Sequence, residues 1–361
     1  MAFQNVIRPC FPLLKTELLT NRRIQSTGGL PSQLWSNNPI AGLSLDAAGV
    51  VALADLRIVE ERTALTGTST YLDMFILCPG IHRQQHATDL NSAELPACAA
   101  LTTGYVFRVE NPATVVFLQK IGKTGHLVNL VVSENTSTQS VWARIQAAWW
   151  TSNSSQVSSL SYVTAVSLTL VAFIIAILTE DGWASIILII LMFSRFCNIV
   201  IVRRRSQTGW KGVPEPGVTG DLLILLSQDR WIRMQGNVDD LKAVTSGQWM
   251  RDMTFTESSV VGAATLLVYL DAALVSNMQQ AGKLVMVMLL VLSAGLLGFS
   301  NNKIKTFQMF GRSIRVVGEP KAYERRLLLA EELILSTGRD DWAIRLGMIN
   351  PDSSRVVKVV M

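Results

Sequence analysis

Two ionisable side chains lie inside runs that are otherwise apolar. Asp271 sits within Ser258–Asn277, SSVVGAATLLVYLDAALVSN, and Arg195 within Trp183–Val202, WASIILIILMFSRFCNIVIV. A charge in such a run is costly, and where one is kept it marks a functional site or a specific pair. Two arrangements are open. Each residue lies about 4–5 Å from the midpoint of its run at about 1.5 Å per residue, and helical side chains lean toward their own N-terminus, so the two can converge as a buried ion pair between the second and third spans. Left unpaired, Asp271 is instead held as the neutral carboxylic acid, a proton donor inside an apolar cavity. Tyr269 has an aromatic face that attracts a cation, and Tyr162, Phe173, Trp183, Phe193 and Phe196 have the same property. The plainer reading of each aromatic is packing or interfacial anchoring. Glu180 and Asp181, between the first two runs, form a second possible acid pair, whose plainer reading is a solvated turn.

Four apolar runs supply the elements that would position these groups. Leu160–Leu178 precedes the Arg195 run and Leu284–Phe299 follows the Asp271 run; each is about the length that crosses a bilayer as a helix. Of the 361 residues 49% are hydrophobic and only 16% charged, an excess concentrated between Leu160 and Phe299, which points to an integral membrane protein. The expected fold is four transmembrane helices arranged as two hairpins, 160–202 and 258–299, with a β-rich cytosolic N-terminal domain. The cations gather beside the spans rather than on a nucleic-acid face: Arg203, Arg204 and Arg205 close the second, and Lys303 and Lys305 follow the fourth. Positive flanks face the cytosol, so both termini are expected there, in a multi-pass protein of the endoplasmic reticulum. On that topology the acceptor motifs at Asn135 and Asn153 stay unglycosylated.

Outside the spans, residues 1–41 read as an irregular lead-in. Five β-favouring runs, Val50–Val59, Tyr71–Cys78, Tyr105–Val109, Thr114–Gln119 and His126–Val132, predict the β-rich domain over 42–140. Residues 141–155 contain VWARIQAAWW and read as an interfacial amphipathic helix. Residues 203–257 read as a cytosolic loop subdomain, with strand-like character over Asp221–Met234 broken at Ser227–Arg230 and helical spacing over Val238–Met250. Residues 300–361 read as a cytosolic helical tail, with a helix over Pro320–Thr337 stopped by Gly338. The clustered Asp229, Arg230, Trp231 and Arg233 read as a structural hairpin, with capping of a substrate cavity as the alternative.

Several chemistries lack their residues. The sequence has no GxxxxGK[ST], GxGxxG after a strand, HExxH or GxSxG. His82 and His86 have HxxxH spacing with Asp89 nearby, but they follow the breaker Pro79-Gly80, and ordinary loop histidines explain them. Asp239-Asp240 and Asp340-Asp341 are bare pairs without a third acid and read as solvated helix starts. The cysteines Cys10, Cys78, Cys98 and Cys197 have neither disulfide-framework nor zinc spacing. No metal or other cofactor is expected.

The block GWKGVPEPGVTGDLLILLSQDRWIRMQGNVDDLKAVTSGQWMRD, together with the Asp271 span, resembles a group of fungal integral membrane proteins with four predicted spans. Some of that group are similar to the membrane-bound terpene cyclases of meroterpenoid pathways. The resemblance covers roughly Trp210 to Phe299 and carries no catalytic signature onto named residues. It implies a bilayer-soluble prenylated aromatic or quinone as substrate, such as a farnesylated phenol or its epoxide, cyclised by protonation. The residues suit that chemistry: a neutral acid, a dry cavity and aromatic faces. The rival expectations are a non-catalytic membrane scaffold or adaptor with a cytosolic interaction domain, and a transporter.

Overall fold

The computed structural model describes residue 45 and residues 48–134, 153–207, 209 and 212–350. The lead-in over 1–41 and the amphipathic stretch Val141–Trp150 lie outside the described residues. In chain order, a 3-10 turn (Ala48–Leu53) leads into helix α1 (Ile58–Thr66), and two further 3-10 segments (Tyr71–Phe75 and Ile81–Asn91) precede β1 (Ala97–Ala100) and β2 (Val106–Arg108). Then follow α2 (Pro112–Ile121), β3 (His126–Glu134), α3 (Asn153–Leu178), α4 (Gly182–Arg205), β4 (Thr219–Leu226), β5 (Arg230–Asn237) and α5 (Val238–Thr245). The chain continues through α6 (Phe255–Leu274), α7 (Gln280–Lys303), β6 (Thr306–Met309), β7 (Arg312–Val316), β8 (Lys321–Ala322), α8 (Arg326–Thr337) and α9 (Asp341–Arg345).

Four helices, α3, α4, α6 with its 3-10 extension, and α7, are long and apolar enough to cross a membrane. Their outward faces carry Ile186, Ile189, Phe193, Leu266 and Leu270, which are exposed and suited to lipid. Local signals fix the ends. The Asp181 side chain accepts from Ala184 N at the start of α4, Thr254 and Glu257 form a capping box on α6, and Arg203–Arg205 meet the negative end of the α4 dipole. Short connections join α3 to α4 and α6 to α7, yet the main packing runs across them, α3 against α7 and α4 against α6. Both pairs are antiparallel: Ser158 Oγ meets Ser300 Oγ at 3.0 Å, and Ser194 Oγ donates to the Ala264 carbonyl at 2.7 Å. On α3 the buried Ala165, Ala172 and Ala176 form a small-residue stripe that lets the backbones approach.

Among the described residues, 48–134 do not form the expected β-rich domain. Thr114–Gln119 is helical, Val50–Val59 and Tyr71–Cys78 are part helical and part irregular, and of the five β-favouring runs only Tyr105–Val109 and His126–Val132 contain strands. In α2 the Asn111 side chain accepts from Thr114 N and Pro112 occupies the first turn, so helix initiation overrides the β-branched run behind it. The first two runs are claimed by tertiary contact. Ala48, Ala52, Val59, Ile76, Leu77, Cys78 and Ile81 are buried in one core with the four long helices, so this part of the chain winds into the bundle.

The strands form one sheet at the bundle end where α4 finishes, in the order β2-β1-β4-β5-β3-β7-β6, with β8 also on β3. Every pairing is antiparallel except β3 with β5. Three stretches separated by the membrane helices contribute strands, so 203–257 is more than a loop subdomain and 300–361 more than a helical tail. The period-two alternation of β4 divides its side chains between two layers: Leu222, Ile224 and Leu226 face α2 and α5, and Leu223 packs with Leu329, Leu333 and Trp342 of α8 and α9. Gln228 and Asp229 take φ of 62° and 53° in the β4–β5 turn. The expected helix over Pro320–Thr337 begins only at Arg326, after β8, and stops at Gly338 in a left-handed conformation, φ 69°.

Candidate functional site in the helix bundle

Arg195 and Asp271 are both buried, at 1% and 0% exposure, but they do not pair. The Ser194–Ala264 contact fixes the antiparallel register, which sets Asp271 about 12 Å along the bundle from Arg195 at about 1.5 Å per residue. Nearer groups satisfy the guanidinium first. Arg195 Nη1 donates to Gln84 Oε1 at 2.7 Å and Nε to the Asp73 carbonyl at 3.3 Å. Gln84 Nε2 passes the network to Ser69 Oγ at 2.6 Å and Thr63 Oγ1 at 3.2 Å. Asp73 brings a carboxylate to the same place, held by the Tyr162 hydroxyl at 2.7 Å and Thr70 N at 2.7 Å.

One helix face carries this arrangement. Arg195, Asn198 and Arg205 recur at helical spacing along α4, and all three are buried. Gln85 Nε2 donates to the Asn198 carbonyl at 3.0 Å, and Arg205 Nη1 donates to Gln85 Oε1 at 2.9 Å. The polar stripe of α4 thus clamps the segment over 69–85 to the bundle. Asn198, three residues after Arg195 within an apolar run, was the sequence signal for it. Nothing in the sequence singled out Asp73, Gln84 or Gln85.

Asp271 has the opposite surroundings. It belongs to the buried stripe Ala264–Val268–Asp271 of α6, continued by Val275 of the 3-10 extension, which packs on α4 and on the core containing Ile187 and Leu191. Among the described residues neither carboxyl oxygen has a hydrogen-bond partner. A buried carboxyl without a partner is costly to keep, which makes Asp271 the anomaly of this helix face.

The other candidates sit elsewhere. Tyr269 is half exposed on a different face of α6, its ring 5.9 Å from that of His82. Asp181 is 4% exposed and bonds two helix starts at once, Oδ1 accepting from Ala184 N at 3.1 Å and Oδ2 from Gln279 N at 3.0 Å. It is an anchor rather than half of a solvated acid pair. Glu180 lies beside it with φ 53° in the tight turn. Phe193, Phe196 and Trp183 point outward, and Tyr162 belongs to the Asp73 network, so these aromatics do not gather around Asp271. His86 faces Asp89 at 3.4 Å within a 3-10 segment that does not keep α-helical spacing. Among the described residues no three His, Cys, Asp or Glu side chains gather where they could hold a metal.

The expectation of solvated acid pairs also changes. Asp240 is buried and paired with Arg312 Nε at 2.8 Å, and Asp341 is paired with Arg339 at 2.8 Å, so neither pair is simply solvated. In the β4–β5 hairpin, Trp231 is 3% exposed against Tyr323, Arg233 forks onto Asp221 at 2.6 Å, and Asp229 pairs with Arg326. Comparison with protein-family models, curated proteins and solved structures finds no match in any of the three.

Proposed function

We propose that this chain is a membrane-bound terpene cyclase. Its Asp271 carboxylic acid gives the initiating proton to the terminal alkene or epoxide of a farnesylated phenol or quinone. Protonation leaves a carbocation that the internal double bonds capture as the rings close, and loss of a proton ends the sequence. No diphosphate leaves, so the step asks for an acid in a dry surround and little else. The observation that supports this reading is the fully buried, unpartnered Asp271 carboxyl, with the cation of the neighbouring span committed elsewhere. The bilayer delivers an apolar substrate to such a site. Arg203–Arg205 and Lys303 at the sheet-bearing end support a cytosolic orientation for that end, and the proposal takes both termini as cytosolic and the membrane as that of the endoplasmic reticulum.

The experiment is expression in a host supplied with a farnesylated phenol, followed by product analysis. The wild-type chain is expected to give a cyclised product, and Asp271→Asn to lower its formation by about 10²–10⁴-fold, the loss typical of a general acid. Equal product from both proteins removes Asp271 from the chemistry. One observation favours a scaffold instead: Leu327, Leu328 and Leu335 of α8 are exposed, Leu335 at 87%. A scaffold yields no product in either case and loses partner binding when these leucines are made polar.

A further inference from the structure

The third and fourth long helices are consecutive in the chain and scarcely touch each other. The space between them is taken by the Ala48–Leu53 turn, AGVVAL, which contacts α6, α7 and the Val275–Asn277 link. Ala48, Gly49 and Ala52 are buried there, in one core with Val268 and Val275, the residues one turn either side of Asp271. Gly49 is seated closely enough that a Cβ on it would lie 2.1 Å from the carbonyl oxygen of Ala272, the residue after Asp271. Among the described residues no hydrogen bond ties this turn to α6 or α7; its bonds are local, Ala48 N to Leu45 O at 3.0 Å and Ala54 N to Val51 O at 3.2 Å. The contrast with 69–85 is sharp. That stretch is fastened to α4 by Arg195, Asn198 and Arg205, whereas among the described residues Ala48–Leu53 meets α6 and α7 through apolar contact.

Non-helical backbone at membrane depth is tolerated only where protein covers it or where it borders a passage. We propose that the gap between α6 and α7 is the portal by which an apolar ligand from the bilayer reaches Asp271, with the Ala48–Leu53 turn as its seal. The portal gives the buried carboxyl a route to lipid that the α4 face, packed by Ile187 and Leu191, does not offer. This inference rests on Asp271 being the acid of the proposed reaction, and its test reads the portal without turnover.

The probe is dicyclohexylcarbodiimide, an apolar reagent for neutral carboxyl groups, applied to the full-length protein in membranes and read at Asp271 by peptide mass spectrometry. Gly49→Val cannot seat against Ala272, so labelling of Asp271 is expected to quicken at least tenfold while Asp181 and Glu60, buried elsewhere, label as in the wild type. Unchanged labelling of Asp271 overturns the proposal. Should Gly49→Val label all three carboxyls and so report unfolding, hydrogen exchange of the wild-type protein decides: amides over 48–53 are expected to exchange well before those over Ile76–Ile81. Equal protection of both stretches overturns the seal. Gated labelling without any cyclised product would sink the cyclase and leave the portal standing; activity that depends on Asp271, with labelling indifferent to Gly49, would do the reverse.

Discussion

Among single residues, the separation of Arg195 from Asp271 changes what each substitution should do. Asp271→Asn strands no guanidinium, so the protein is expected to insert and unfold as the wild type does, with only product formation affected. Arg195→Leu leaves Gln84 Oε1 and the Asp73 carbonyl without their donor, and each buried acceptor left unpaired costs about 1–3 kcal/mol. Thermal unfolding in detergent should show that loss. The double change Arg195→Leu with Asp271→Leu should equal the sum of the two single changes, because groups without shared partners are near-additive; a recovery clearly beyond that sum would show the two residues coupled after all. The sequence exposed both residues as anomalies in apolar runs and left their relation open. What decided it was the Gln84 side chain and the Asp73 carbonyl, 111 and 122 positions away in the chain, which no local pattern announces.

At the level of elements, the long helices were legible from apolar length alone, and their caps and basic ends agreed. Their partners were not. A short turn between two apolar runs suggests a hairpin in which neighbours pack, but the stripe of alanines on α3 is answered by α7, and α6 is answered by α4. The N-terminal runs misled for a related reason: β-branched composition reports a half-buried surface as readily as a strand, and Asn111-Pro112 or the core of a bundle settles which. Asp181 shows how the far end is closed. Its two oxygens cap α4 and the start of α7, and Gly282 leaves room for it, a Cβ there lying 2.5 Å from Asp181 Oδ2. Asp181→Ala removes both caps, each worth about 0.5–2 kcal/mol, and should lower the unfolding temperature more than a single-cap loss such as Asn111→Ala. A drop no larger than for Asn111→Ala would mean that water or another side chain replaces one of the two bonds.

The whole molecule joins an apolar bundle to a sheet that none of its three strand-bearing stretches completes alone. On the proposed topology, tags at either terminus are reached by protease added outside sealed microsomes, and a tag inserted at Gln279 is protected; protection of a terminal tag would invert the orientation. The parallel pairing of β3 with β5 also bears on how the chain is made. When Glu134 has been synthesised, β3 has neither of its long neighbours, since β5 begins at Arg230, beyond two membrane helices, and β7 at Arg312, beyond four. At about 5–20 residues per second the wait is roughly 5–20 s for β5 and roughly 10–35 s for β7. Through that interval a nine-residue strand, HLVNLVVSE, lies with both edges open beside the translocation machinery. Slowed insertion of the later helices therefore endangers the first third of the protein, whose own sequence is unchanged, by prolonging the time in which β3 can pair with the wrong chain.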